Sequence, residues 1–307
     1  MNFRIGTRSS ELALWQAHTV QNLLHEHTHS AKLVHIQSSG DTNLKDPLHR
    51  MGITGIFTKA LDDALFAEEI DLAVHSLKDV PTQLPTGLVL AAVLPRGLVH
   101  DVLVHKGDTA FLEENTAVIA TGSLRRRAQW RHRYPAHELT GLRGNVNTRL
   151  QKLADNPWQG AIFAQAGLAR IEKLPAEHVV LDWMIPAPSQ GIVGIVCREG
   201  DAEAIEALAA LNHSPTMAAA QIERTFLRTL EGGCTAPIGA HAVVEGDRVN
   251  FRGVLLTPDG QQRLYLEREG NLPSAAPVNL GRKWAEEALS RGGKEIMEAI
   301  RNEISAL

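Results

Sequence analysis

Short apolar runs alternate with amphipathic segments along most of this 307-residue chain, and that alternation limits the possible folds more than any other feature. Residues 2–6, 32–37, 70–75, 88–94, 101–105, 116–121, 160–165 and 192–196 read as strands. Helical spacing begins near Glu11, capped by Ser9 or Ser10, with Leu12, Trp15, Val20 and Leu23 on one broad face. It recurs over 57–68, after Ser123, and over 145–154. Strand and helix taken in turn build a mostly parallel sheet covered by helices. The pattern changes late in the chain. From about residue 201 it reads as helical, through 218–230. Residues 238–244, 248–256 and 262–268 then read as antiparallel strands, separated by the turns Glu245-Gly246-Asp247 and Thr257-Pro258-Asp259-Gly260. An amphipathic helix over 278–304 closes the chain. The length exceeds one ordinary domain. The expectation is two α/β domains followed by a smaller α+β domain.

Charge and cysteine usage exclude several classes. A net charge of −4 gives no global attraction to nucleic acid or to an anionic membrane. No apolar stretch reaches the length of a membrane span. The N-terminal residues lack the apolar core of a signal peptide. Two cysteines at this length fit a reducing compartment better than a disulfide framework. The expected protein is soluble, cytoplasmic and, since nothing demands an oligomer, monomeric. The cysteines form no CxxC pair, and no metal site is expected.

Four cationic segments fall at strand ends: Gly6-Thr7-Arg8-Ser9-Ser10, His75-Ser76-Leu77-Lys78-Asp79, Thr121-Gly122-Ser123-Leu124-Arg125-Arg126, and Leu142-Arg143-Gly144-Asn145-Val146-Asn147-Thr148-Arg149. In open α/β sheets, ligands bind beyond the carboxyl ends of strands. Helix N-termini there offer free N–H groups to anions, and arginine adds a planar fork matched to carboxylates. A ligand with many carboxylates or phosphates is expected. Asp79 stands out as a carboxylate among these cations, closed off by Pro81. It would repel a polyanion, and is useful only where positive charge develops; a salt bridge to Lys78 or an arginine is the structural alternative. Asp41, in Ser39-Gly40-Asp41-Thr42, is a weaker second candidate. Gly232-Gly233-Cys234-Thr235 places a thiol on a glycine-built turn stiffened by Pro237, whereas Cys197 ends an apolar run and reads as a small core hydrophobe.

These stretches resemble the porphobilinogen deaminase (hydroxymethylbilane synthase) family nearly end to end. The resemblance lies in GTRSSELALWQA (6–17), DLAVHSLKDVPT (71–82), TGSLRRRAQ (121–129), LRGNVNTRL (142–150), AGLARI (166–171), SQGIVGIVCR (189–198) and LEGGCTAPIGAHA (230–242). It implies an enzyme of haem biosynthesis that joins four porphobilinogen molecules, losing ammonia at each step, into linear hydroxymethylbilane. It further implies a dipyrromethane cofactor held by a thioether at Cys234. Loss of ammonia gives an electrophilic azafulvene, whose cationic form Asp79 would stabilise. Ser76, Lys78, Thr121, Gly122, Ser123, Arg125, Arg126 and Asp41 would hold the cofactor. Arg8, Arg143, Arg149, Arg170 and Gln190 would hold substrate. The implied fold has two periplasmic-binding-protein-like α/β domains joined by two crossovers, residues 1–96 with 193–211 and residues 97–192. An α+β domain over 212–307 carries the cysteine.

The chain departs from the family pattern at named positions. Thr54 stands where the family has a loop lysine, with Lys45, Arg50 or Lys59 as possible compensation. Gly122 replaces a serine, Ser189 a glycine, and the first helix opens Ser-Glu-Leu-Ala in place of the usual proline. Two other functions fit the residues taken alone. One is a non-enzymatic anion- or dicarboxylate-binding protein of similar fold. The other is a thiol-dependent transferase using Cys234, with His241 as a candidate base.

Overall fold

Strand 72–76 shows how the sheets are built. Leu72 and Val74 point into one core with Phe3, Val20 and Leu24, while Ala73 between them points to the opposite face, against Leu61 and Leu65. Successive side chains of a strand alternate faces, so a strand apolar throughout is covered on both sides. The computed structural model describes residues 1–37, 58–114, 116–231, 236–273 and 276–306. In chain order, the strands are β1 (Asn2–Thr7), β2 (Ser30–His35), β3 (Leu72–Ser76), β4 (Leu88–Val93), β5 (Asp101–His105), β6 (Val118–Ala120) and β7 (Glu138–Thr140). There follow β8 (Gly160–Ala164), β9 (Val179–Leu181), β10 (Val193–Arg198), β11 (Ile238–Glu245), β12 (Arg248–Leu256) and β13 (Arg263–Asn271). The α-helices are α1 (Glu11–Glu26), α2 (Lys59–Phe66), α3 (Leu124–Arg133), α4 (Val146–Asp155), α5 (Gln165–Ala169), α6 (Ala202–Ala209), α7 (Ser214–Thr229), α8 (Val278–Ala288) and α9 (Lys294–Ala306).

Among the described residues these strands form three sheets. The first has the order β2-β1-β3-β10-β4 and the second β7-β6-β8-β5-β9. The two orders correspond strand for strand. In each sheet the fourth strand runs antiparallel to both of its neighbours: β10 against β3 and β4, β5 against β8 and β9. Both reversed strands adjoin a passage between the sheets. The chain leaves the first sheet after β4, enters the second at β5, and returns from β9 to β10. The expected mostly parallel sheets are therefore present with one inverted strand each, joined by two crossovers. The third sheet, β11-β12-β13, is antiparallel and packs on α7, α8 and α9 through Phe226, Phe251, Trp284 and Ile296.

Three local features differ from the sequence reading. The closing helix is interrupted at 289–293, where Arg291 and Gly292 leave helical angles and Gly292 reaches φ +101°. The three-residue strands β7 and β9 are too short to show a period-2 pattern. The second strand lies at 30–35, two residues earlier than expected.

A buried ion pair fixes the junction of the three sheets. Glu223 of α7 is wholly buried and grips Arg96, on the first crossover, at 2.8 and 2.7 Å. The same carboxylate accepts from Ser189 N at 2.6 Å, on the second crossover, and from Ala242 N of β11 at 2.7 Å. A buried carboxylate needs such partners to offset its desolvation.

Candidate active site

The carboxyl ends of β1, β3, β6 and β7 lead directly into the four cationic segments. Local chemistry shapes each exit. Ser10 caps α1 by accepting from Ala13 N, Ser123 caps α3 by accepting from Arg126 N, and Asn145 caps α4 by accepting from Thr148 N. Thr121 is buried and its hydroxyl accepts from Ser123 N at 3.3 Å. At Gly122 a Cβ would lie 2.5 Å from the Leu142 carbonyl oxygen, so glycine is what allows the β6 and β7 exits to approach so closely.

At the end of β3 the chain forms a 3₁₀ turn over Leu77–Asp79. Leu77 is buried, Lys78 half-buried and Asp79 exposed. The Asp79 carboxylate makes no hydrogen bond or ion pair among the described residues, so the expected alternative, a salt bridge to Lys78 or an arginine, is absent there. Burial pushes the Lys78 ammonium down to about 8; Asp79 and Asp101 pull it up, and Arg126 and Arg125 push it further down. Burial likewise pushes Arg149 down to about 10, with Arg126 and Arg143 adding to the shift and Asp79 opposing it. The β3, β6 and β7 exits thus share one electrostatic field around Asp79. Burial also lowers His75 to about 4, and Arg8 adds to that shift, so the imidazole is neutral at neutral pH. Ser76 accepts from the Gln16 amide at 2.8 Å.

Beneath this cluster lies Asp101, at the start of β5, which sequence reasoning missed. Arg126 binds it with Nε at 3.0 Å and Nη2 at 2.7 Å, Arg125 pairs with its second oxygen at 2.7 Å, and Gln190 donates to it at 3.0 Å. Burial would raise the Asp101 pKa, but Arg125 and Arg126 overcome that and hold it far below the usual carboxylate range. Arg125 and Arg126 also donate to the Ile185 and Ile162 carbonyls, and Gln190 to that of Val99. These hydrogen bonds of the three residues therefore lie inside the protein. The signal available in sequence was an acid opening an otherwise apolar strand, but its partners lie 25 and 89 positions away.

Arg170 stands apart from the Asp79 cluster. Its Nη2 donates to the Gly191 carbonyl at 2.7 Å, and its guanidinium lies over the Trp15 ring, 5.3 Å from the centroid. It braces the second crossover against α1. Asp41, Thr54, Lys45, Arg50 and Cys234 lie outside the described residues. Lys59 is committed to Asp63 at 2.8 Å. Cys197 is buried in the β10 core with its thiol pushed up to about 11 by burial, as an inert core residue requires. His241 is buried and lowered to about 4, chiefly by desolvation.

A group bearing several carboxylates fits these residues. The Lys78 ammonium, half-buried, has no hydrogen-bonded partner among the described residues, and neither has the buried Nε of Arg149. Cations without partners at such sites are costly unless an anion joins them. No cluster of metal-binding side chains occurs among the described residues, and none of their helices is long and apolar enough to cross a membrane.

Comparison with known proteins agrees with this geometry. Residues 3–206 match the family described as "Porphobilinogen deaminase, dipyromethane cofactor binding domain", and residues 217–290 match "Porphobilinogen deaminase, C-terminal domain". The porphobilinogen deaminase of Syntrophotalea carbinolica is 42% identical over 303 residues, covering 97% of this chain and 95% of its own. That of Desulforamulus reducens is 40% identical, covering 97% of each. The chloroplastic enzyme of Pisum sativum is 42% identical, covering 94% of this chain and 82% of its own. With matches that run through every segment of the cationic cluster, the chain belongs to the porphobilinogen deaminase family.

Proposed function

We propose that this protein is a transferase of tetrapyrrole synthesis that condenses four porphobilinogen molecules into hydroxymethylbilane. One observation carries the reading: the Asp79 carboxylate makes no hydrogen bond or ion pair among the described residues, and it acts electrostatically on the Lys78 and Arg149 cations. An anion so placed favours positive charge on a pyrrole nitrogen as ammonia leaves and as the new carbon–carbon bond forms. Lys78, Arg149, Arg143 and Arg8 bind the acetate and propionate groups, and Gly122 and Ser123 present the α3 N-terminus to them. Arg125, Arg126 and Gln190 hold the floor of the site through Asp101. The dipyrromethane, when bound, supplies the carbon nucleophile that accepts the first pyrrole. Cys234 is the attachment point; of the two cysteines, Cys197 is a core residue, which supports that choice. Strand membership supports a division into residues 1–96 with 193–211, residues 97–192, and residues 212–307. The protein acts as a cytoplasmic monomer.

Intact-mass measurement of the purified protein tests this. The wild type should exceed its sequence mass by one dipyrromethane, and Cys234→Ala should fold without the adduct. A wild type of bare sequence mass that consumes no porphobilinogen would contradict the reading, as would an adduct that survives Cys234→Ala.

A further inference from the structure

We infer that Arg224 of α7 is a positioning residue for the reaction, acting through Asp79 by holding the turn that carries it; the inference rests on the function proposed above. The turn presents an unusual demand. Its 3₁₀ geometry ends at Asp79, and Pro81 has no N–H with which to continue a helix. Carbonyl groups are left pointing toward α7. Arg224 collects three of them: Nη1 donates to Leu77 O at 3.3 Å and Val80 O at 3.0 Å, and Nη2 donates to Pro81 O at 2.5 Å. One planar fork thus spans the whole turn, from the residue before Lys78 to the second residue after Asp79. Packing reinforces it. Leu77 and Val80 lie in one buried cluster with Ala220, one helical turn before Arg224, and Met217 packs against the same cluster. Leu77 N also donates to Ile192 O at 3.0 Å.

The neighbouring residue explains why this matters beyond local order. Glu223 binds both crossovers and β11, and Arg224 binds the Asp79 turn. Two consecutive residues of one helix therefore set the Asp79 turn against the junction of all three sheets. Lysine cannot substitute fully, because a single ammonium lacks the two-pronged fork. A catalytic group displaced by about 1 Å loses up to roughly a hundredfold in rate.

The test compares wild type, Arg224→Met and Arg224→Lys as full-length, cofactor-loaded proteins, each also in an Asp79→Glu background. We expect Arg224→Met to lower kcat by roughly tenfold to a hundredfold with KM for porphobilinogen little changed. Arg224→Lys should recover part of the loss. In the Asp79→Glu background, where the carboxylate is already displaced, the further loss should shrink to about threefold or less. A normal kcat with a lowered melting temperature would reduce Arg224 to a structural strut and overturn the inference. Equal losses in both backgrounds would overturn it too, because Arg224 would then act independently of Asp79. Should Arg224→Met not fold, Arg224→Lys in the two backgrounds carries the same comparison. A wild type that consumes no porphobilinogen overturns the proposed function and this inference together; an active wild type matched by its variants overturns this inference alone.

Discussion

Asp101 is wholly buried, with one oxygen accepting from Arg126 and Gln190 and the other ion-paired with Arg125, whereas Asp79 is exposed and bonded to nothing among the described residues. Lys78 senses both carboxylates, so they act in one field. The difference lies in what each charge is left free to do. Asp101 is spent neutralising two arginines that would otherwise be buried alone, which makes it part of the fold. Asp79 keeps its charge available, which is what a developing cation requires. Arg125 and Arg126 read from sequence as ligand-binding residues; the structure shows them first as the counter-charges of Asp101.

Substituting the committed member should produce the largest stability effect. Asp101→Asn leaves two buried guanidinium groups without a counter-charge, and breaking a buried pair in this way costs about 3–5 kcal/mol. Thermal or urea unfolding measures it, and a wild-type melting temperature would break the comparison from this side. Arg126→Leu should also destabilise, because Asp101 would keep only Arg125 and Gln190.

The next effect reads Lys78, whose charge both acids favour. Its proton is lost as pH rises through about 8, against an ordinary value of 10.5. The free enzyme then loses a cation for substrate carboxylates, so kcat/KM should fall above about pH 8. Stability should move the other way. The folded state binds fewer protons than the unfolded chain between the two values, so this group's contribution rises with pH across that window. A kcat/KM profile flat to pH 10, or an alkaline limb unmoved in Lys78→Arg, would remove Lys78 from substrate binding.

The smallest effect concerns the committed network at Glu223. Ser189 donates to Glu223 from a left-handed backbone, φ +64°, and its buried hydroxyl has no partner among the described residues. Ser189→Gly relieves both costs and should stabilise the protein by about 1 kcal/mol, read as a rise in melting temperature. A fall would mean that the hydroxyl has a partner in solution.

Local patterns in the sequence revealed the sheets and the cations. Alternating apolar runs such as 101–105 and 248–256 are strands at those positions, and each cationic segment follows a strand. What stayed hidden was pairing across distance. The assignment of Arg126 to Asp101, of Arg170 to Gly191 and Trp15, and of Arg224 to the Asp79 turn depends on tertiary approach that no local pattern encodes. The break at 289–293 was legible in Arg291-Gly292-Gly293, but the amphipathic spacing on either side concealed it.

The most direct test of the central claim pairs a single-turnover rate with a melting temperature for Asp79→Asn in the cofactor-loaded protein. Asparagine keeps the size of the side chain and one acceptor oxygen and removes only the charge. If the uncommitted carboxylate stabilises positive charge in the reaction, the rate should fall on the order of hundreds-fold, with the melting temperature unchanged. A near-normal rate accompanied by a clear loss of stability would show Asp79 to be another structural acid and would contradict the account.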